Sequence, residues 1–260
     1  AYQSRGLGDV YKRQIHWYGI TWLIAIFGIL WYSKKIVTKK TPFDKNDVDD
    51  FLFYGVLGAI IGGRFGYMFF YGIEQIFSDP LSILRIWEGG LSFHGGFIGV
   101  VISFYIFSKK LNIGFFDLAD HIALAFPIGL GFVRIGNFLG GELLGRPTDL
   151  PWGMIFWSDP LQISRHPSQL YQAFFEGIVL FIILNLLVIK PKPKIFISGM
   201  FLALYGSFRI FTETFRMPDS HIGFDFLDII TRGQLLSTPM VIIGLLLIFL
   251  SYRKKNETIS

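Results

Sequence analysis

The chain has 260 residues, of which 52% are hydrophobic and 17% are charged, and its mean hydropathy is +0.50. A water-soluble domain of this composition would aggregate, and disorder, collagen, coiled coil and a disulfide scaffold are excluded. Because the chain has no cysteine, any thiol chemistry must use a sulfur atom from another molecule. The net charge of +5 fits either a nucleic-acid-binding protein or a membrane protein with cytoplasmic lysines.

The first 14 residues are polar and show no helical or alternating period, so we interpret them as a non-native N-terminal tail. Ile15 to Ser33 is long enough to cross a bilayer, which takes about 20 apolar residues. Six further apolar stretches follow at about 51–71, 94–108, 118–139, 168–189, 195–213 and 235–252. The predicted fold class is all-α: a polytopic integral membrane protein with seven transmembrane helices in a single domain over 15–253, then a cytoplasmic tail at 254–260.

The lysines predict how these helices are oriented. Twelve of the thirteen lie in alternate loops, after the first, third, fifth and seventh stretches, and such loops are cytoplasmic by the positive-inside rule. The N-terminus and the loops at about 72–93, 140–167 and 214–234 are then outside the plasma membrane. These loops contain no lysine but hold several arginines, namely Arg85, Arg146, Arg165, Arg216 and Arg232. Because arginine suits bidentate phosphate binding, we expect the chemistry on this outer face.

Ionisable side chains also lie within the apolar stretches, where each costs about 2.5 to 3.5 kcal/mol on insertion scales. They are Arg64, His94, Asp120, His121, Arg134, Glu176, Arg209 and Glu213. Arg209 and Glu213 are four residues apart, so a helix presents them on one face, together with Tyr205 and Arg216. A structural ion pair explains any one such pair equally well. If two arginines converge near the outer face, however, a lipid phosphate is the natural anionic partner.

Glycine spacing gives a second indication. Gly58, Gly62 and Gly66 recur every four residues, a spacing typical of closely packed membrane helices. Paired glycines flank His94 on both sides in the segment Gly89 to Gly96. This histidine could be a hydrogen-bonded interfacial residue, or the general base that activates a thiol. Ser168, which follows a proline, is interpreted as a helix cap rather than a nucleophile.

Six ordered blocks of the chain resemble the prolipoprotein diacylglyceryl transferases of bacterial inner membranes. They are His16-Trp17-Tyr18-Gly19, Gly62-Gly63-Arg64-Phe65-Gly66-Tyr67, Gly89 to Gly96, Arg134-Ile135-Gly136-Asn137-Phe138 with Gly141-Glu142 and Gly145-Arg146, Arg165 to Tyr171, and Tyr205 to Arg209 with Glu213, Arg216, Pro218 and Asp219. The resemblance covers nearly everything from Ile15 to about Arg253. Two residues depart from the family pattern, since Val133 replaces a glycine and Gly140 replaces a common asparagine.

The resemblance implies transfer of the sn-1,2-diacylglyceryl group from phosphatidylglycerol, a membrane lipid, to the lipobox cysteine thiol of a preprolipoprotein signal peptide. A thioether forms and glycerol 1-phosphate leaves. The family pattern makes His94 the preferred thiol base, while Arg134 and Arg209 bind the phosphate. Asn137, Glu142 and Glu213 would orient them, with Tyr18 and Arg64 as supporting contacts. Arg216 is a further substrate-binding residue in this pattern. In an alternative mechanism Arg209 polarises the phosphate while water or Glu142 takes the proton.

No cofactor, metal or nucleic acid is expected, because the sequence has no Asp-rich metal motif and no cluster with ligand spacing. A transporter is the main rival class, but inverted repeats are not visible and seven stretches cannot form two equal halves. An intramembrane serine protease would need a serine and a histidine on neighbouring helices, and the chain lacks a Gly-x-Ser-x-Gly motif.

Overall fold

The computed structural model describes residues 17–36, 38, 44–88, 90–218, 224–226 and 230–257, some of them by their backbone alone. The tail predicted at residues 1–14 lies outside this part of the chain. Each of the seven predicted apolar stretches is helical over nearly all of its described residues. Helix formation follows from the long apolar runs, because a buried or lipid-facing backbone must satisfy its hydrogen bonds internally.

The described helices are α1 (Trp17–Lys35), α2 (Lys45–Tyr71), α3 (Ile73–Ser78), α4 (Phe93–Lys110), α5 (Phe115–Leu139), α6 (Ser168–Gln172), α7 (Leu180–Leu187), α8 (Phe196–Glu213) and α9 (Arg232–Glu257). A π-helical segment, Ala173–Val179, joins α6 to α7, and two short 3₁₀ turns span Pro80–Leu84 and Ile86–Glu88. Two short antiparallel strand pairs were not predicted: β1 (Met154–Ile155) with β2 (Ser164–Arg165), and β3 (Phe224–Phe226) with β4 (Ile230–Thr231). They lie in the long loops, where no alternating pattern marks them.

Four helical stretches in the described part of the chain are long and apolar enough to cross a bilayer: Lys45–Phe70, Phe115–Leu139, Ser168–Leu187 and Arg232–Arg253. The helices α1, α4 and α8 have only 18 or 19 residues, so the polar residues at their ends strongly lower the mean hydropathy of each helix. Lysines end α1 and α4, and α8 contains Arg209 and Glu213. The chain is therefore an α-helical membrane protein, and the count of seven spans stays a prediction.

Contacts between Cα atoms divide the chain into two compact units, which are described in turn. The first unit comprises Ala1–Gly28, Phe126–Ile183 and Leu202–Ile243, and the second comprises Ile29–Ala125, Leu184–Phe201 and Gly244–Ser260. In the second unit α2 packs against α4 through the glycines that the sequence singled out. A Cβ atom on Gly62 would overlap the carbonyl oxygen of Gly95 and lie 2.7 Å from Gly99 Cα. Glycine at these positions therefore lets the two backbones touch.

Replacing Gly62 with alanine should lower the free energy of unfolding by about 1 to 3 kcal/mol, because the added methyl group forces two backbones apart. Gly19→Ala is the matched control, since a Cβ atom on Gly19 would meet nothing within 4 Å. Circular dichroism during denaturation of the detergent-solubilised protein measures both effects. Equal stability of the two variants would contradict the packing described here.

Asp120 has a structural role in the same unit. Its Oδ2 accepts a hydrogen bond of 2.8 Å from the backbone N–H of Ile195, and its Oδ1 accepts one of 2.7 Å from that of Ser198. The carboxylate thus binds the unsatisfied donors at the start of α8. This contact explains one of the costly charges noted in the apolar stretches.

Candidate active site

The candidate site begins where two helical segments of the first unit approach closely. A Cβ atom on Gly177 would lie 2.7 Å from Gly131 Cα, so glycine is required for this approach. Gly131 precedes Arg134 and Asn137 on α5, whereas Gly177 directly follows Glu176. The opposing segment buries a row of polar side chains, each at most 1% exposed: Ser168, Gln169, Gln172 and Glu176. Polar groups buried this completely need partners, which indicates a functional or structural network.

Glu176 lies in the middle of the π-helical segment Ala173–Val179. The sequence predicted an ordinary helix there. A π-helical turn accommodates one extra residue and shifts the register of the side chains that follow, and such turns are frequent at functional sites. The apolar stretch continues through Ala173–Val179 without a proline, so the residues themselves do not mark the turn.

Three arginines and two glutamates form a continuous series of ion pairs. Arg134 Nε lies 3.2 Å from Glu176 Oε2, and Arg209 Nη1 lies 3.6 Å from Glu176 Oε1. Arg209 Nη2 lies 2.8 Å from Glu213 Oε2, and Arg216 Nη1 lies 3.6 Å from Glu213 Oε1. The predicted pairing of Arg209 with Glu213 on one helix face is confirmed. We call these five residues the arginine cluster.

Each carboxylate of the arginine cluster is shared between two guanidinium groups. Arg134 and Arg209 thus converge on Glu176, whereas Arg209 and Arg216 converge on Glu213. Both Glu176 and Glu213 are buried, while the side chains of Arg134 and Arg209 retain 15% and 11% exposure. Arg209 Nη1 is buried, and its contact with Glu176 Oε1 is an ion pair of 3.6 Å rather than a hydrogen bond. Two converging guanidinium groups that are still partly exposed are suited to an incoming anion.

Asn137 and Glu142 form a second polar group one turn beyond Arg134. The amide of Asn137 donates a hydrogen bond of 3.0 Å to Glu142 Oε2, and the amide of Gln169 donates one of 2.5 Å to the Glu142 carbonyl oxygen. Glu142 itself is exposed, whereas both amides are buried. The Asn137 amide thus orients an accessible carboxylate, while the Gln169 amide holds the backbone of the same residue.

Arg165, which lies outside the arginine cluster, stabilises the loop after α5. Arg165 and Asp159, each 2% exposed, form a bidentate pair with N–O distances of 2.7 and 3.0 Å. Arg146 Nε donates 3.0 Å to the carbonyl oxygen of Arg216, which attaches this loop to the end of α8. Arg165 therefore forms an ion pair within the loop, whereas the sequence had predicted that arginines of the outer loops suit phosphate binding.

Ser168 was interpreted from the sequence as a helix cap, and that interpretation was wrong. Its hydroxyl group donates a hydrogen bond of 3.3 Å to the Leu143 carbonyl oxygen and does not cap α6.

The ion pair of Asp159 with Arg165 predicts how the stability of the protein depends on pH. Hydrogen bonds from Arg165 hold the pKa of Asp159 below its ordinary value. Because the unfolded pKa is about 3.9, this stabilisation is fully present at neutral pH and is lost as the pH falls through the folded pKa. Asp159→Asn should therefore lower stability at pH 7 and flatten the acid limb of a stability curve measured by thermal unfolding. The exposed neighbour Asp149, changed to asparagine, should leave that limb unchanged.

The remaining predicted site residues belong to other parts of the chain. Arg64, in the second unit, is buried and donates to the carbonyl oxygens of Ser82 at 2.6 Å, Ile83 at 3.2 Å and Gly90 at 3.4 Å. His94 lies in the first turn of α4 in that unit, and Tyr18 lies in the first turn of α1. Their side chains are not among those described.

Two participants were not assigned to the site from the sequence, Glu176 and Gln169. Glu176 was noticed only as a charge at membrane depth, and Gln169 only within a motif. Their spacing with Gln172 was the available signal, because Gln169, Gln172 and Glu176 are three and four residues apart and such positions share one helix face. In the described part of the chain, no three His, Asp or Glu side chains are grouped closely enough to hold a metal ion.

Comparison with known proteins agrees with the motifs. Residues 7–250 match the family model described as prolipoprotein diacylglyceryl transferase, so the match begins within the segment interpreted as a tail. Proteins named phosphatidylglycerol--prolipoprotein diacylglyceryl transferase are similar over most of their length. That of Pseudomonas syringae pv. syringae is 48% identical, over 93% of this chain and 90% of its own. That of Marinomonas sp. is 50% identical, over 88% and 86%. The chain therefore belongs to the prolipoprotein diacylglyceryl transferase family.

Proposed function

We propose that this protein transfers the diacylglyceryl group of phosphatidylglycerol to a prolipoprotein, and that the arginine cluster binds the lipid phosphate. The observation that carries the assignment to these residues is the convergence of Arg134 and Arg209 on Glu176, with Arg209 also paired to Glu213. The negative charge of a phosphodiester is suited to two guanidinium groups that converge at one place. The partial exposure of the Arg134 and Arg209 side chains supports the same assignment.

The acceptor in this proposal is the lipobox cysteine thiol of the signal peptide. Its sulfur attacks the carbon of the diacylglyceryl group that is bound to the phosphate through oxygen. An S–C bond forms and that C–O bond breaks. The electron pair of that bond goes to the phosphate oxygen, and glycerol 1-phosphate leaves. Arg134 and Arg209 stabilise the negative charge that develops on the leaving phosphate, as preorganised donors do in other transferases. No acyl-enzyme and no metal ion takes part.

The thiol proton needs an acceptor, and His94 is the preferred one. An imidazole with an unperturbed pKa of about 6.5 is suited to this step near neutral pH. In the alternative, Arg209 polarises the phosphate while Glu142 or water takes the proton. The exposed carboxylate of Glu142, oriented by Asn137, supports a place for Glu142 in either route.

Supporting roles are proposed for the other motif residues. Glu213 and Arg216 orient Arg209, which is consistent with their ion pairs. Arg64 acts by fixing the loop before α4, because it donates to three backbone carbonyl groups of that loop. Tyr18 is proposed as a lipid contact at the start of α1.

The membrane arrangement is proposed from the lysine distribution. Seven helices cross the bacterial inner membrane, with a periplasmic N-terminus and a cytoplasmic C-terminus. This orientation puts the loop after α5 on the periplasmic side, where the signal peptide of a translocated prolipoprotein arrives. No nucleic acid takes part, since the lysines serve the topology.

The test uses the purified full chain, phosphatidylglycerol and a synthetic lipobox peptide. We expect release of glycerol phosphate in amounts equal to the lipidated peptide, measured by mass spectrometry and a phosphate-ester assay. A matched peptide with serine in place of cysteine should give no product, because a hydroxyl group ionises far less readily than a thiol. Comparable turnover of the serine peptide would contradict thiol attack.

A further inference from the structure

Glu176 is the one carboxylate of the arginine cluster that bridges separate helices. Its Oε2 lies 3.2 Å from Arg134 Nε on α5, and its Oε1 lies 3.6 Å from Arg209 Nη1 on α8. The hydroxyl of Thr212 also donates 3.3 Å to Oε1. The side chain is fully buried, so its charge acts on the two guanidinium groups with little screening by solvent.

The two contacts of Glu176 differ in length and in kind. With Arg134 it makes a hydrogen bond, whereas with Arg209 Nη1 it makes only a longer ion pair. Glu176 therefore lowers the positive potential around both arginines. An anion that contacts the exposed part of either guanidinium group must tolerate this neighbouring carboxylate.

The proposed reaction creates a specific need for such a neighbour. The lipid substrate is a phosphodiester with one negative charge, while the released glycerol phosphate is a monoester, and phosphate monoesters carry about 1.5 to 2 negative charges at pH 7. A site that stabilises the developing charge therefore also holds the product more tightly than the substrate. Without a group that weakens the binding of the product, slow product release would limit turnover.

We infer that Glu176 is a positioning residue that limits the affinity of Arg134 and Arg209 for the released glycerol phosphate. Its carboxylate repels the second negative charge of the monoester more than the single charge of the diester. It thereby favours release after C–O cleavage while keeping the two guanidinium groups aligned for the lipid. This inference rests on the proposed function, because it requires that the arginine cluster binds the phosphate.

The experiment compares the wild-type chain with Glu176→Gln, which keeps the shape of the side chain and removes its charge. Binding of glycerol 1-phosphate to the purified protein is measured by calorimetry, and kcat and KM for phosphatidylglycerol are measured separately. We expect the dissociation constant for glycerol 1-phosphate to fall about tenfold, the change that corresponds to ~1.4 kcal/mol. kcat should fall with an initial burst of lipidated peptide, and KM should not rise.

A merely structural role for Glu176 predicts the opposite binding result. Displaced arginines would weaken the binding of glycerol 1-phosphate and raise KM, and either weaker or unchanged binding in Glu176→Gln overturns the inference. Glu176→Asp serves if the glutamine variant does not fold. Its shorter carboxylate recedes from both arginines, so it should tighten product binding by a smaller factor, and weaker or unchanged binding again overturns the inference.

Asp49→Asn is the matched control for loss of one negative charge, since Asp49 is exposed and pairs with Lys34 far along the chain from the cluster residues. It should bind glycerol 1-phosphate as the wild type does. Measurements on the wild-type chain also distinguish failure of the proposed function from failure of the inference about Glu176. If it neither binds glycerol 1-phosphate nor releases it from phosphatidylglycerol, the proposed function fails. If it does both and Glu176→Gln does not bind more tightly, only this inference fails.

Discussion

Arg209→Lys and Arg134→Lys are each expected to reduce kcat/KM for phosphatidylglycerol by about 10² to 10³, the usual cost of losing a donor to developing negative charge. A lysine ammonium keeps the charge but cannot donate two parallel hydrogen bonds to a phosphate. In the structure each arginine also contacts Glu176, and a lysine can replace only part of that geometry. Initial rates of glycerol phosphate release from lipid in detergent micelles measure the effect.

Arg85→Lys is the control for these variants, because Arg85 pairs with Asp79 in the other unit and is not assigned to the phosphate. It should keep wild-type activity. Circular dichroism and size-exclusion profiles of all three variants separate loss of chemistry from loss of folding. Full activity in folded Arg134→Lys and Arg209→Lys proteins would contradict the assignment of phosphate binding to these two residues.

His94→Ala is expected to reduce kcat at pH 7 by about 10² or more, the usual contribution of a general base. The deficit should shrink as the pH rises toward the thiol pKa of about 8.5, because the peptide cysteine then ionises without help. A pH profile of kcat therefore distinguishes a base from a residue that only maintains the fold, whose loss would be similar at every pH.

His221→Ala is the comparison for this variant, since His221 lies in no motif attributed to the chemistry. It should follow the wild-type pH profile. If His94→Ala also followed the wild-type profile, the proton would have to pass to Glu142 or water. The corresponding Glu142→Gln variant would then be expected to show the pH-dependent loss.

The helices could be predicted because membrane-length apolar runs leave few alternatives to a helix. All seven predicted stretches are helical over nearly all of their described residues, and their ends agree with the structure to within a few residues, apart from α2 and α9, which extend further. The strand pairs β1–β2 and β3–β4 escaped prediction. They are only two or three residues long and depend on contacts across a loop rather than on local preference.

The site could be predicted wherever its residues are close in sequence. Arg209 and Glu213 are four apart, and helix geometry alone brings them together. The pair of Arg134 with Glu176 joins residues 42 positions apart, and it depends on the close approach at Gly131 and Gly177 and on the π-helical turn. Neither the approach nor the turn can be read from local periodicity.

By itself, then, the sequence determined that the protein is helical and membrane-embedded, which family it resembles, and which polar side chains are costly enough to need partners. Those conclusions follow from composition and from spacings of a few residues, where the free energy of burial and helix geometry act locally. Only the tertiary structure decided which partners are shared. Pairing between distant helices is determined by register and backbone separation, and these brought Glu176 between Arg134 and Arg209 and set Arg165 to fasten a loop.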